Sequence, residues 1–445
     1  MRQQIVFPFT RLLLVGLFLF AFACQKDNDD EIVSKPATEL DAVLAQEWMT
    51  QAYNTVKRTG LFALDASRIY AYTSITMYES MVHGMKGYRS LAGQLNGLDK
   101  LPVPDPNKKY DWGIVLCHAT PQVITELTPG ISAGTTFSLN ATADRQADDL
   151  RLRNSIDNEV MKNSKEFADQ LVIAILQWAV KDGRAVVLAK TYTEPARTGN
   201  PQFWYGRTLN QEFMAPFWWE SRPLAINQAQ ICQPSAPYEY SADPNNVYYK
   251  EVKEVLDASF DPTKVEVGRF WANDPGQSGS PAGSWIGIAN QLVDQFDLNM
   301  ATTLKMYVLL GTGTRDGFIS CWYTKYRWNL QRPVTFIREV IGVNTWNSPV
   351  VTPPYPDYTS GTSVNAGASS QMLTYLFGNR SFSDAQHTDK GFRPRQFNNF
   401  REAGTEAFHS RIFGGVHMRK ACEEGFKQGT CVAENIINKL KFEQK

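Results

Sequence analysis

Six positions in the C-terminal half carry groups suited to gripping a tetrahedral oxyanion. Lys325 and Arg332 stand seven apart in Lys325-Tyr-Arg-Trp-Asn-Leu-Gln-Arg332-Pro333, nearly two helical turns, so both can point from one face. Ser360 and Gly361 lie in Thr359-Ser360-Gly361-Thr362, ahead of a helix-like stretch. There Ser360 can cap the helix, or it and the Gly361 N–H can donate to an anion. Both readings use the unpaired N–H groups and positive dipole end of a helix start. Ser410-Arg411-Ile-Phe-Gly-Gly-Val-His417 adds a third cation and an imidazole able to act as nucleophile or metal ligand. Guanidinium forks and an ammonium suit the oxygens of a phosphate-like group. Singly, each member has a plainer reading: a solvated helix face for Lys325 and Arg332, a core histidine for His417, a cap for Ser360. Only the set points to oxyanion chemistry.

The elements that must position this set are helical. LDAVLAQEWMTQAYNTVKRTG and LDASRIYAYTSITMYESMVHG repeat apolar residues at three and four, as do NNVYYKEVKEVLDASF, WIGIANQLVDQFD and MATTLKMYVLLGTGTRDGFISCWYTKYRWNL. The stretch from Ala141 to Gly183 reads as one long helix or two abutting ones. Strand alternation is scarce and no internal repeat is evident. The expected class is all-α, with bundles packed on one another. Two regions are irregular. Residues 191–223, rich in aromatics and proline, form either a loop over the core or a platform that stacks a ligand; Trp204, Trp218 and Trp219 belong to it. Residues 344–362 hold Pro349, Pro353, Pro354 and Pro356, which forbid a helix and deliver the chain to Ser360.

In chain order the blocks resemble the signature KxxxxxxRP, PSGH, SRxxxxxH. That signature is shared by type-2 phosphatidic-acid phosphatases, bacterial acid phosphatases and vanadium-dependent haloperoxidases. The first and third blocks match in full, and the resemblance covers roughly residues 265–435. The chain length and helix-rich N-terminal half look like the haloperoxidase branch, which implies two packed helical bundles. The resemblance further implies that Lys325, Arg332 and Arg411 hold the oxygens of vanadate or phosphate, with Ser360 and the Gly361 N–H donating. His417 would bond vanadium, or attack phosphorus to form a phosphohistidine. The middle block departs: Thr362 stands where the family has its acid/base histidine, and a threonine hydroxyl cannot titrate near neutral pH. Ala421 stands where the family often has an aspartate four residues after the ligand histidine, so a partner that orients His417 is expected to be missing. Asp316 is a candidate partner for one of the arginines. His83, His118, His387 and His409 read as structural or surface histidines.

Three functions follow as expectations: a haloperoxidase using vanadate and peroxide to oxidise halide, with His417, Ser360 and Thr362 at the reacting centre; a phosphoester hydrolase working through His417; or a weakened anion- or glycan-binding surface lipoprotein. Lysine plus arginine equals aspartate plus glutamate, 45 each, so no global field attracts nucleic acid and the expected ligand is a small anion. The N-terminus carries Arg2 and Arg11 and then an apolar run, Leu12 to Ala23, too short for a permanent membrane helix but suited to a signal peptide. Ala21-Phe22-Ala23-Cys24 resembles the bacterial lipoprotein cleavage box. The expected order is a signal peptide at 1–23, a polar tether at 24–38 lipidated on Cys24, an N-terminal helical region at 39–240 and a C-terminal one at 241–445. The expected place is the Gram-negative envelope, on the outer membrane. The other five cysteines are expected to be mostly buried free thiols, and the lack of any CxxC pair leaves zinc unsupported.

Overall fold

The computed structural model describes residues 34–206 and 213–444. The expected signal peptide, Cys24 and most of the expected tether lie outside those residues. Within them the regular structure is almost wholly helical, as its periodicity predicts. Helices α1 (Val43–Thr59), α2 (Ala63–Met81), α3 (Trp112–Leu127), α4 (Ala133–Asn154) and α5 (Asn158–Val180) form the N-terminal part, closed by a short α6 (Arg184–Leu188). The stretch read as one helix or two is two: the backbone turns left-handed at Ser155 (φ 52°), and Asp157 restarts the helix by accepting the Val160 N–H.

The C-terminal part holds α7 (Val247–Ala258), α8 (Pro262–Phe270), α9 (Ser280–Gln295), α10 (Met300–Trp328), the single turn α11 (Pro333–Phe336), α12 (Gly361–Phe377), α13 (Phe400–Phe413) and α14 (Arg419–Lys439). The one regular hairpin among the described residues pairs β1 (Phe382–Asp384) antiparallel with β2 (Arg395–Phe397), Phe382 opposite Phe397. α10 is the central rod. Asn299 caps its start, and it is buried on all sides, against α2 on one flank and α12 and α14 on another. One apolar cluster runs from Ala37 to Phe442 through both parts.

A buried ion cluster ties α10 to the N-terminal helices. Asp182 takes Arg68 at 2.6 Å and Arg315 at 3.1 Å, and the Tyr72 hydroxyl donates to it at 3.2 Å. Asp316 does not pair with the site arginines. It accepts the N–H groups of Leu224, Ala225 and Ile226 at 2.6, 2.7 and 2.9 Å, which satisfies a buried carboxylate without any nearby cation of the site.

The cysteine expectation needs one correction. Cys117, Cys321 and Cys422 are buried free thiols, but Cys232 and Cys431 form a disulfide, with Cα atoms 5.8 Å apart. The two lie 199 residues apart, so no local spacing announces the pair.

Candidate active site

Lys325 and Arg332 do not share one helix face. α10 ends at Trp328, Asn329 turns left-handed (φ 46°) to cap it, and Arg332 becomes the residue before α11, where Pro333 starts the turn. The two cations still converge, because the proline-rich segment passes between them. Lys325 Nζ donates to the carbonyls of Pro356 (2.8 Å) and Asp357 (3.1 Å), and Arg332 Nε donates to that of Tyr355 (2.8 Å). Their charges flank the Tyr355 ring at 4.9 and 4.8 Å. Prolines that cannot make helical hydrogen bonds leave these carbonyls free for buried cations.

Ser360 is the cap of α12: its side chain accepts the Ser363 N–H at 3.3 Å, and its own N–H donates to Ala421 O at 3.0 Å. The preceding Thr359 is pinned as well. Its hydroxyl donates to Gln428 Oε1 at 2.6 Å, and Gln428 Nε2 donates to Ser320 and Thr324 on α10. The Ser360–Gly361 start is therefore fixed against α10 and α14, and Thr362 in its first turn faces a cavity.

α13 ends at Phe413, and Gly415 takes φ 81° to turn the chain back. The N–H groups of Val416 and His417 then bond the Arg411 carbonyl, setting His417 beside Arg411. Arg332 Nη1 donates to Val416 O at 2.7 Å and stands 3.3 Å from His417 Nδ1 and 3.0 Å from Nε2. Arg411, His417, Thr362 and Tyr355 line one cavity of about 540 Å³. The structure thus gathers Lys325, Arg332, Arg411 and His417, while Ser360 and Gly361 are buried at the start of α12, next to Thr362 of the cavity wall.

His417 has a carboxylate partner after all. Asp357 Oδ1 lies 2.6 Å from His417 Nδ1 and 3.8 Å from Arg332 Nη1. Asp357 does from the proline segment what position 421 cannot. Its only advance signal was a lone acid among prolines, three residues before Ser360. Burial pushes the Asp357 carboxyl up to about 7, against the pull of Arg332 and Lys325. Burial also brings the Lys325 ammonium down to about 7. The His417 imidazole is held well below its ordinary value by burial and then by Arg332, Lys325 and Arg411, so it is neutral at pH 7. The Asp357–His417 contact is close but not aligned as a hydrogen bond, and Arg332 Nη1, which can only donate, faces Nε2; a proton on Nδ1 with the Nε2 lone pair accepting is the arrangement that suits both neighbours.

Three buried cations share one buried carboxylate. Arg332 Nη2 and Arg411 Nε and Nη1 are buried with no hydrogen-bond partner. Each orphaned buried donor costs about 1–3 kcal/mol, more when charged. A tetrahedral oxyanion would meet all three and neutralise the excess charge, so the residues present fit vanadate or phosphate.

No second histidine lines the cavity. His387 is buried against Phe270 and Phe392, His409 stacks on Phe413 and faces Arg419, His118 pairs with Asp169, and His83 packs on Trp112 and Phe167. The cavity does hold two carboxylates. Asp65 is tied to Arg184 at 2.5 Å, whereas Asp274 lies within electrostatic reach of Arg411 and makes no ion pair among the described residues. The aromatic region covers the core and supplies part of the cavity wall. Trp204 and Trp218 are buried, and Phe213, Met214 and Trp218 also form cavity wall.

A family model for the VCPO second helical-bundle domain matches residues 305–444. The structure is similar to the crystal structure of the first bacterial vanadium-dependent iodoperoxidase, with a TM-score of 0.83 and 30% identity over 93% of this chain and 99% of that one. Holo and apo crystal structures of a bacterial vanadium-dependent chloroperoxidase match at a TM-score of 0.58 and 15% identity. They cover 85% of this chain and 93% and 95% of theirs, a likeness of fold. No curated protein matches the chain.

Proposed function

The chain belongs to the vanadium-dependent haloperoxidase family, and on that premise we propose that it binds vanadate and oxidises halide with hydrogen peroxide. The observation that carries the reading is the buried excess of cations, with three orphaned donors beside a neutral, carboxylate-backed His417. Lys325, Arg332 and Arg411 would neutralise the oxyanion, and the Ser360 hydroxyl and Gly361 N–H would donate to it. His417 Nε2 would supply the ligand lone pair while Asp357 holds the ring at Nδ1. Bound vanadate supplies a Lewis-acid centre that polarises peroxide for attack by halide.

Thr362 would orient by hydrogen bonding only, which leaves the first turn of α12 without an acid/base group. A site without an acid/base imidazole suits the halide that is easiest to oxidise, so iodide is the proposed substrate. The similarity to an iodoperoxidase points the same way. Phosphate fits the same cradle, and phosphoester hydrolysis through His417 is the reading to exclude. The disulfide supports an oxidising compartment, in keeping with export and a lipid anchor on Cys24 in the cell envelope.

The test is calorimetric titration of protein lacking residues 1–24 with orthovanadate, followed by iodide, bromide and p-nitrophenyl phosphate assays. Wild type, His417→Ala and Thr362→His are run together. Vanadate binding lost in His417→Ala and iodide oxidation in wild type are expected. Thr362→His should extend oxidation to bromide, by about 10²-fold or more if the imidazole regains acid/base work. Phosphate release without halide oxidation would overturn the proposal.

A further inference from the structure

The ion cluster around Asp182 is a second place where buried donors outnumber acceptors. Arg315 on α10 is 0% exposed, yet only its Nη2 is engaged, by Asp182 at 3.1 Å and the Arg222 carbonyl at 3.5 Å. Its Nε and Nη1 have no hydrogen-bond partner among the described residues. The turn packed on Arg315 adds further donors. The Trp218 ring lies 5.7 Å from the guanidinium, and the Ser221 N–H donates to the Trp218 carbonyl at 3.0 Å. Both side chains are 1% exposed, and the Trp218 indole N–H and the Ser221 hydroxyl are unpartnered too. Arg222 Nε, next along the chain, is a fourth side chain in the same condition. The Arg222 N–H donates to the Asp182 carbonyl at 2.8 Å, which clamps the turn onto the cluster.

The charges lean the same way. Arg68, Arg222 and Arg315 gather round two carboxylates, Asp182 and Asp316. Asp182 takes Arg68 and Arg315 directly and meets Arg222 through the Tyr72 hydroxyl, while Asp316 is engaged by three backbone N–H groups. The neighbouring Arg184 and Lys190 are paired with Asp65 and Glu220, so one positive charge is left over. Unused buried donors destabilise a fold, more so on a charged group. A water molecule would accept from two of them and leave the charge; an anion answers both. The rings of Tyr72, Trp178 and Trp218 crowd the guanidinium groups. A compact sphere that accepts from any direction therefore suits the place better than an oxyanion with four oxygens to seat. We propose that the cluster is a buried site for a halide ion, chloride foremost, held by Arg315 with the Trp218 indole N–H and the Ser221 hydroxyl. This ion is resident and takes no part in the reaction at His417. It ties the 218–222 turn to α10, fixes Trp218, which is also cavity wall, and stabilises the fold by mass action.

The experiment needs no turnover and no vanadate. The unfolding temperature of protein lacking residues 1–24 is followed as sodium chloride replaces sodium gluconate at fixed ionic strength. Trp218→Phe and Ser221→Ala are run beside wild type. Expected is a rise that saturates in wild type, with the chloride midpoint moved up about tenfold or more in each variant, the worth of one hydrogen bond to a charged group. Trp218→Phe keeps an aromatic ring and Ser221→Ala removes a single oxygen, so both should fold, and cooperative unfolding in gluconate verifies it. No chloride-dependent rise in wild type, or one midpoint shared by all three proteins, overturns the proposal. Wild-type crystals grown in sodium bromide then locate the ion by anomalous scattering. A peak within hydrogen-bonding distance of Arg315, Trp218 and Ser221 is expected. Peaks only beside Arg411 and His417 would place the stabilising ion in the oxyanion cradle, and the proposal falls.

Discussion

Asp357 is the residue on which the chemistry of His417 turns. A carboxylate at Nδ1 fixes the ring and raises the basicity of Nε2, and such partners are commonly worth 10–100-fold in metal affinity. Asp357→Asn is nearly isosteric. It should weaken vanadate binding by about that factor, read by calorimetry, while thermal unfolding stays close to wild type. Unchanged affinity would show that Asp357 serves only to offset charge. Lys325 makes the second prediction at this scale. In the proposed site its ammonium neutralises the oxyanion, and burial brings that group down to about 7. Below pH 7 the charge is in place. Above it, binding must take up a proton. Vanadate affinity should therefore fall as pH rises from 7 to 9, by up to tenfold per unit for each coupled proton. Titration in buffers of different ionisation heat should detect the uptake, and Lys325→Met should bind more weakly and lose part of the slope. Affinity that tightens with pH would contradict the account. Lys325, Arg332, Arg411 and His417 were legible in the sequence because cations at fixed spacing before Pro333 and a Gly-Gly turn are local patterns. Asp357 was not, since its meaning comes from a contact 60 residues along the chain.

Helix packing sets how close the cap of α12 comes to α14. Gly367 faces the Phe426 carbonyl and Gly429 faces that of Val364, both too near for any Cβ. A Cβ at Gly425 would lie 2.8 Å from Ser360 O. Backbone therefore packs on backbone, and the Ser360 N–H reaches Ala421 O at 3.0 Å. Gly429→Ala should force the helices apart, with a stability loss of about 1–3 kcal/mol or more from overpacking. Because Ser360 and Thr362 ride on that interface, vanadate affinity should fall too. Urea unfolding and calorimetry measure the two effects. A variant as stable as wild type would show that α14 can slide at no cost. The helices themselves were legible from apolar periodicity, and α10 from its length. That Lys325 and Arg332 lie on different elements was not, because the left-handed Asn329 that ends α10 carries only a weak signal in sequence.

Across the whole molecule, the two parts are held by shared core, by the ion cluster around Asp182 and by one covalent link. The all-α class and the order of the site blocks could be read in advance, since both follow from short-range pattern. The pairing of Cys232 with Cys431 could not, because it joins segments 199 residues apart and depends on the finished fold. Closing a loop of that length removes much entropy from the unfolded chain, worth about 5 kcal/mol on a chain-entropy account. The bond also fastens α14 to the segment whose Leu224, Ala225 and Ile226 N–H groups hold Asp316 on α10. Loss of the disulfide should therefore lower the melting temperature by several degrees without touching the oxyanion donors. Cys232→Ser/Cys431→Ser should melt earlier in calorimetry than wild type, yet bind vanadate with the same affinity. Protein made without its leader in a reducing cytosol should contain five free thiols and melt like the double variant, whereas exported protein should contain three and melt higher. If exported and cytosolic material have equal thiol counts and equal melting temperatures, the link between export and stability is absent and the envelope assignment loses its structural support.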